Sequence, residues 1–130
     1  MKKLIPIILS ALMLTGCAGT GNQANSTYRQ ISVDEAVTMM AQETDYIILD
    51  VRRPDEFVAG HIPNAINVPN ESIGTIEIAE LPNKNQLIMV YCRSGRRSKE
   101  AADKLVKLGY TNIVEFGGIL DWKGETVAGQ

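Results

Sequence analysis

Histidine and cysteine are scarce in this chain. Among 130 residues there are one histidine and two cysteines. That is too few for a four-ligand zinc site without carboxylates, so neither a metal nor another cofactor is expected. An excess of positive charge is also missing. Thirteen Lys and Arg face 15 Asp and Glu, a formal net charge of −2, which offers no footprint for a nucleic acid. There is no internal repeat. The longest apolar run, Leu4 to Leu14, is too short to span a bilayer comfortably. What is present is a hydrophobic content of 45%, enough for a core and too much for a disordered chain. The length suits one domain.

The N-terminus is a different kind of sequence. Lys2 and Lys3 precede the apolar run, which only Pro6 and Ser10 interrupt, and small residues then lead to Cys17. These are the three parts of a secretory signal. A buried N-terminal helix is the alternative, but the lysines abut the run and a polar stretch follows it. Leu14-Thr15-Gly16-Cys17 further resembles a bacterial lipobox. The resemblance implies cleavage before Cys17 and lipidation of Cys17. Loss of residues 1–16 removes two of the 13 basic residues and no acid, leaving 11 against 15, a formal charge of −4. Acyl chains would then hold the protein on a membrane. The expected location is extracytoplasmic, lipid-anchored to a bacterial cell membrane. It is the outer membrane if the source has two, because Ala18 is not the Asp associated with inner-membrane retention. Residues 17–27, rich in Gly, Asn and Ser, read as a tether, and residues 28–130 as the folded domain.

Within that domain, Ser32-Val33-Asp34-Glu35 is a capping-box pattern. Val33, Ala36, Val37 and Met40 then share one helical face. Tyr46 to Val51, Leu87 to Tyr91 and Asn112 to Phe116 are short continuous apolar runs, the pattern of strands buried on both faces. Ala65 to Val68 is a weaker fourth. Arg97 to Leu108 has a helical stripe of Ala101, Ala102, Leu105 and Leu108, with Gly109 as its stop. Alternating strands and helices predict an α/β fold, a mostly parallel central sheet with helices on both faces. Ligands of such sheets bind beyond the carboxyl ends of the strands. Asp50, Arg52, Cys92, Gly117 and Gly118 would lie together at that edge.

Cys92 sits between a strand and a helix, in Tyr91-Cys92-Arg93-Ser94-Gly95-Arg96-Arg97-Ser98. A tight turn into a helix N-terminus aims backbone N–H groups inward and forms a cup for an anion. A thiolate there is favoured by the helix end and by Arg93, Arg96 and Arg97. No general base is then needed, which fits a loop without histidine. An inert core cysteine is the alternative, but three arginines within five residues do not suit a core. If Cys17 is lipidated, Cys92 is the one free thiol and has no partner for an internal disulfide.

These residues resemble the rhodanese family. Leu49-Asp50-Val51-Arg52-Arg53-Pro54-Asp55-Glu56-Phe57 with Gly60-His61-Ile62-Pro63-Asn64-Ala65-Ile66-Asn67-Val68-Pro69 is similar to its N-terminal signature. Val90 to Ser98 is similar to its active-site loop, and Phe116-Gly117-Gly118-Ile119-Leu120-Asp121-Trp122 to its closing segment. The resemblance spans about residues 29–123. It implies a rhodanese-like sheet of about five strands and sulfur transfer through a Cys92 persulfide, a ping-pong reaction related to thiol–disulfide exchange. The partners implied are a small inorganic sulfur anion such as thiosulfate and a thiol or cyanide acceptor; a protein acceptor is compatible.

The resemblance also implies substrate-binding roles for Arg52 and Arg97, and the loop chemistry adds Arg93, Ser94, Gly95 and Arg96. Arg52 can equally pair with an acid such as Asp50, and the two roles are compatible. Asp50, Glu56 and His61 read better as loop-organising residues than as acids or bases. Trp122 reads as packing at the end of a short helix. Two other readings compete. A phosphatase or arsenate reductase on this fold would carry Cys-x5-Arg, which needs Arg at 98, where Ser98 stands. A persulfide carrier or binding module with little turnover is compatible with an intact Cys92.

Overall fold

The computed structural model describes residues 27–74 and 76–130. The signal segment, Cys17 and the tether up to residue 26 lie outside the described residues. The elements follow in chain order as β1 (Arg29–Gln30), α1 (Val33–Gln42), β2 (Tyr46–Asp50), α2 (Pro54–Ala59), β3 (Ile66–Asn67), β4 (Leu87–Cys92), α3 (Arg96–Lys107) and β5 (Ile113–Gly118). The five strands form one sheet in the order β1-β5-β4-β2-β3, and every pairing is parallel.

The apolar run Leu87–Cys92 takes the central place, and all six of its residues are buried. Its side chains alternate between two cores, as strand geometry requires. Ile88, Val90 and Cys92 pack with Leu49, Val51 and the α3 residues Ala101, Ala102 and Leu105. Leu87, Met89 and Tyr91 pack on the opposite face with Ala36 of α1 and Phe57 of α2. Helices therefore cover both faces, and the fold class is the α/β one read from the sequence.

Several local expectations also appear in the structure. Ser32 Oγ accepts from Glu35 N at 3.0 Å while Glu35 Oε1 accepts from Ser32 N at 2.9 Å, closing the capping box. Gly109 follows α3 at φ 101°, and Gly109 N donates to Val106 O, so the helix stops there. One expectation fails. Val37 is exposed, and Met39 joins Met40 in packing against the core instead. The buried stripe of α1 runs through 33, 36, 39 and 40, and Val37 rotates off its edge.

The parallel topology puts the carboxyl ends of β2, β4 and β5 side by side. Between Val90 and Cys92 the pairing with β5 shifts: Val90 opposes Glu115, but Cys92 opposes Gly118. One extra residue on β5 is thus accommodated just before the cysteine, with Gly117 in the left-handed region at φ 95°. A bulge of this kind re-aims the side chains around it.

Candidate active site

β4 ends at Cys92, and the chain turns at once into α3. Gly95 makes the turn possible at φ 115°, a conformation that costs a residue with a Cβ. The turn brings Gly95 N to 3.0 Å from Cys92 Sγ, so the sulfur accepts a backbone N–H at the start of α3. Cys92 is 1% exposed. Gly118 closes the loop from the β5 side. A Cβ there would overlap the Arg93 carbonyl, and the neighbouring Leu120 N donates to Arg93 O.

The arginines divide into two kinds. Arg93 is exposed, as is Arg96, which pairs with Glu100 at 3.1 Å along its own helix. Ser94 is exposed beside them. Arg97 is held. Its Nη1 and Nη2 donate to the two oxygens of Glu56 at 2.7 and 3.1 Å, tying α3 to α2. Glu56 also accepts from Arg53 N at 3.1 Å.

The Arg97 guanidinium, together with the Arg53 N–H, holds the Glu56 carboxyl down at about 2, against an ordinary 4.5. Because the folded value is the lower one, the unfolded chain binds the extra proton first as the solution is acidified. The pair therefore contributes its full stability above pH 4.5 and loses it as the pH falls towards 2. Thermal unfolding followed from pH 6 to pH 2.5 is expected to show a smaller fall in midpoint for Glu56→Gln than for the native chain. An equal fall would show that the pair does not couple folding to pH.

Arg52 is also held, and is 5% exposed. Its Nε lies 3.0 Å from Asp50 Oδ1, and its Nη2 donates to Asp50 Oδ2 at 2.7 Å and to Gly60 O at 2.6 Å. Asp50 accepts in addition from Arg52 N at 2.9 Å and from Tyr91 O–H at 2.6 Å. Tyr91 O–H in turn accepts from Ile62 N. Burial, with the Asp50 carboxylate beside it, pushes the Tyr91 phenol well above its ordinary value. It remains a hydrogen-bond donor to Asp50. The ion pair with Asp50 is formed, and it leaves Arg52 Nη1 without an acceptor among the described residues.

His61 lies flat on Phe57, with ring centroids 3.7 Å apart and 6° between planes. Its Nδ1 is 2.8 Å from Phe57 O, and its backbone exchanges two hydrogen bonds with Val127. The ring thus fastens onto α2 and the backbone onto the C-terminal segment. Trp122 packs against the core on the α1 side and donates its indole N–H to Glu125 O.

A depression lined by Arg52, Glu56, Gly60, Arg93, Ile119 and Leu120 adjoins the loop. Its lining comes from beside each of the three strand ends expected at one sheet edge, with Arg52 after β2, Arg93 after β4 and Ile119 after β5.

Two residues of the site carry no functional role on sequence grounds, Ser98 and Glu115. Both are buried. Ser98 Oγ lies 3.5 Å from Cys92 Sγ and 2.5 Å from Glu115 Oε2, and Glu115 Oε2 also accepts from Gly117 N at 2.8 Å. A carboxylate therefore stands one hydroxyl away from a sulfur whose own loop carries no base. The signal for Glu115 is its charge: it is the one ionisable residue within an apolar run that reads as a strand buried on both faces.

Comparison with known proteins identifies the family. The Rhodanese-like domain family matches residues 32–125. The thiosulfate sulfurtransferase PspE of Escherichia coli is 36% identical over 73 residues, which cover 56% of this chain and 70% of that protein. A sulfurtransferase of Allochromatium vinosum is 34% identical over 94 residues, covering 72% of this chain and 86% of that one. Among solved structures, a rhodanese with anions from E. coli superposes with a TM-score of 0.59 at 35% identity, covering 65% of this chain and 99% of that chain.

Proposed function

The chain belongs to the rhodanese-like sulfurtransferase family, and from that premise we propose that it moves sulfane sulfur from thiosulfate, or a similar donor anion, to a thiophilic acceptor through a persulfide on Cys92. The observation that carries this reading is the seat of the sulfur: Cys92 Sγ at a strand's carboxyl end, 3.0 Å from the Gly95 N–H that opens α3. In the first half-reaction the Cys92 thiolate attacks the outer sulfur of thiosulfate. A new S–S bond forms on Cys92, the sulfur–sulfur bond of thiosulfate breaks, and sulfite leaves with its electron pair. In the second half-reaction the acceptor attacks the outer sulfur of the persulfide, and Cys92 leaves as thiolate.

The charge distribution suits an anionic donor. The first turn of α3 contains no acid and begins with Arg96 and Arg97, where the helix dipole alone would disfavour cations. A bound anion relieves that conflict. Arg52 contributes through Nη1, which has no acceptor among the described residues while Nε and Nη2 are occupied by Asp50 and Gly60. Arg93, Ser94 and Arg96 form the exposed rim that meets the anion first. Asp50, Glu56 and His61 organise the loops that hold these groups.

Incubation of the purified protein with thiosulfate is expected to add one sulfur atom to the peptide that carries Cys92, and cyanide is expected to release it as thiocyanate. If no adduct forms with thiosulfate, polysulfide or persulfide donors, the reading is lost. Loading without turnover on cyanide or small thiols would favour the carrier reading, in which a partner protein takes the sulfur. The same proposal anchors the domain outside the cytoplasm through a lipid on Cys17. Cys17→Ala is expected to move the protein from the membrane to the soluble fraction.

A further inference from the structure

The buried pair Ser98 and Glu115 is not needed to bind an anion, yet it reaches the reacting sulfur. Cys92 Sγ has two polar neighbours among the described residues, Gly95 N and Ser98 Oγ. The first is a donor only. The thiol proton therefore has one acceptor, Ser98 Oγ. The Ser98 hydroxyl carries a single proton. Glu115 Oε2 at 2.5 Å is the nearest acceptor for it, ahead of Gly95 O at 3.0 Å and Gly117 O at 3.3 Å. That separation is typical of a hydroxyl on a carboxylate. Cys92, Ser98 and Glu115 are 1%, 0% and 2% exposed, so bulk water does not compete for the proton. Burying a carboxylate on the otherwise apolar α3 face is costly, and packing gives no reason for it.

We infer that Glu115, acting through Ser98, is a positioning residue that takes up the proton of the Cys92 thiol when the sulfur becomes a nucleophile. The Cys92 S–H proton passes to Ser98 Oγ as the Ser98 O–H proton passes to Glu115 Oε2. The products are a Cys92 thiolate, an intact Ser98 hydroxyl and a neutral Glu115. One negative charge moves from carboxylate to sulfur and none is created inside the protein, so burial does not oppose the step. When Cys92 leaves as thiolate in the second half-reaction, the proton returns along the same path. The sulfur steps rest on the function proposed above; the proton step does not.

Few other charges face the sulfur. On α3 the Arg97 guanidinium is bonded to Glu56 of α2, Arg96 is turned to Glu100, and the β1 residue in register with Glu115 is the uncharged Gln30. A protonated guanidinium such as that of Arg97 accepts no proton.

The test is the rate of Cys92 alkylation by iodoacetamide across pH, read by mass on the Cys92 peptide of the full chain. Glu115→Gln keeps an amide oxygen for Ser98 and Gly117 N but takes no proton. Glu115→Gln and Ser98→Ala are each expected to move the rise of the profile to higher pH and to slow alkylation at pH 7 about tenfold, the change one pH unit makes in a thiolate population. The double variant should be no slower than either single one, and Ser98→Thr should keep the native profile. If Glu115→Gln does not fold, Ser98→Ala against Ser98→Thr decides. An unchanged profile overturns the inference. So does faster alkylation with the rise moved to lower pH, because the carboxylate would then merely repel the thiolate. A native chain that follows the expected profile but accepts no sulfur from thiosulfate would end the sulfurtransferase reading and leave the relay intact. Sulfur loading with an unmoved profile would do the reverse.

Discussion

Cys92→Ser is expected to abolish sulfur uptake and thiocyanate formation while leaving the fold in place. The substitution is small. A serine hydroxyl stays near Gly95 N, which lies 3.0 Å from the present sulfur, while Ser98 Oγ, 3.5 Å from that sulfur, is beyond ordinary O–H···O reach. The cost in stability should be about 1 kcal/mol, that of altering one buried hydrogen-bonding group. The chemical loss is of another order. An alkoxide is far less accessible than a thiolate at neutral pH, and an oxygen offers no persulfide to hand on. Removal of a covalent nucleophile costs on the order of a million-fold in well-studied hydrolases, so turnover should fall below detection. Intact mass after thiosulfate, together with a thermal unfolding curve, checks both halves. A Cys92→Ser protein that still gains sulfur would place the carrier atom elsewhere, and one that fails to fold would make the loss uninformative. Cys92→Ala, which removes the hydroxyl as well, then serves as the second variant.

The sequence made the middle of the fold legible because β2 and β4 are uninterrupted apolar runs and α3 repeats small and aliphatic residues at helical spacing. Those patterns are local, and they placed Cys92 at a strand end without any knowledge of its neighbours. β1 is two residues long, Arg29–Gln30, too short for periodicity to register. α2 is a six-residue helix with Pro54 at its start and Arg53 at its N-cap, and neither its length nor that cap gives a helical signal. The site divides in the same way. The glycine turn and the arginines follow Cys92 in sequence and could be read directly. The contacts that hold them could not: Arg97 meets Glu56 across 41 positions, Tyr91 meets Asp50 across 41, and Ser98 meets Glu115 across 17. Its place in a strand buried on both faces marks Glu115 as inward, but only the folded chain shows that it meets Ser98 and Gly117 N.

Asp50→Ala is expected to be the most destabilising substitution at the site. Asp50 is wholly buried and is the common acceptor for the Arg52 backbone and guanidinium and for the Tyr91 hydroxyl. Alanine leaves a buried guanidinium with only the Gly60 carbonyl and a buried phenol with no acceptor. Stranding one member of a buried ion pair typically costs about 3–5 kcal/mol, a large share of the roughly 5–15 kcal/mol that holds a domain together. In a domain of this size that corresponds to a fall in melting temperature of about 12 °C or more. The cause can be separated from simple loss of contacts. If the penalty is the stranded charge, Asp50→Ala combined with Arg52→Met should be more stable than Asp50→Ala alone, because the second change removes the cation that the first exposes. If it is lost packing, the double variant should be worse. Urea unfolding of the native, single and double proteins decides between them. The same series bears on function. Asp50 fixes Nε and Nη2 of Arg52 and thereby aims Nη1, so Asp50→Ala should raise the thiosulfate concentration needed for half-maximal loading. Loading by a neutral donor, which has no anion for Arg52 to hold, should change less. The carboxylate would then act on the reaction without touching the substrate, by holding the arginine that does.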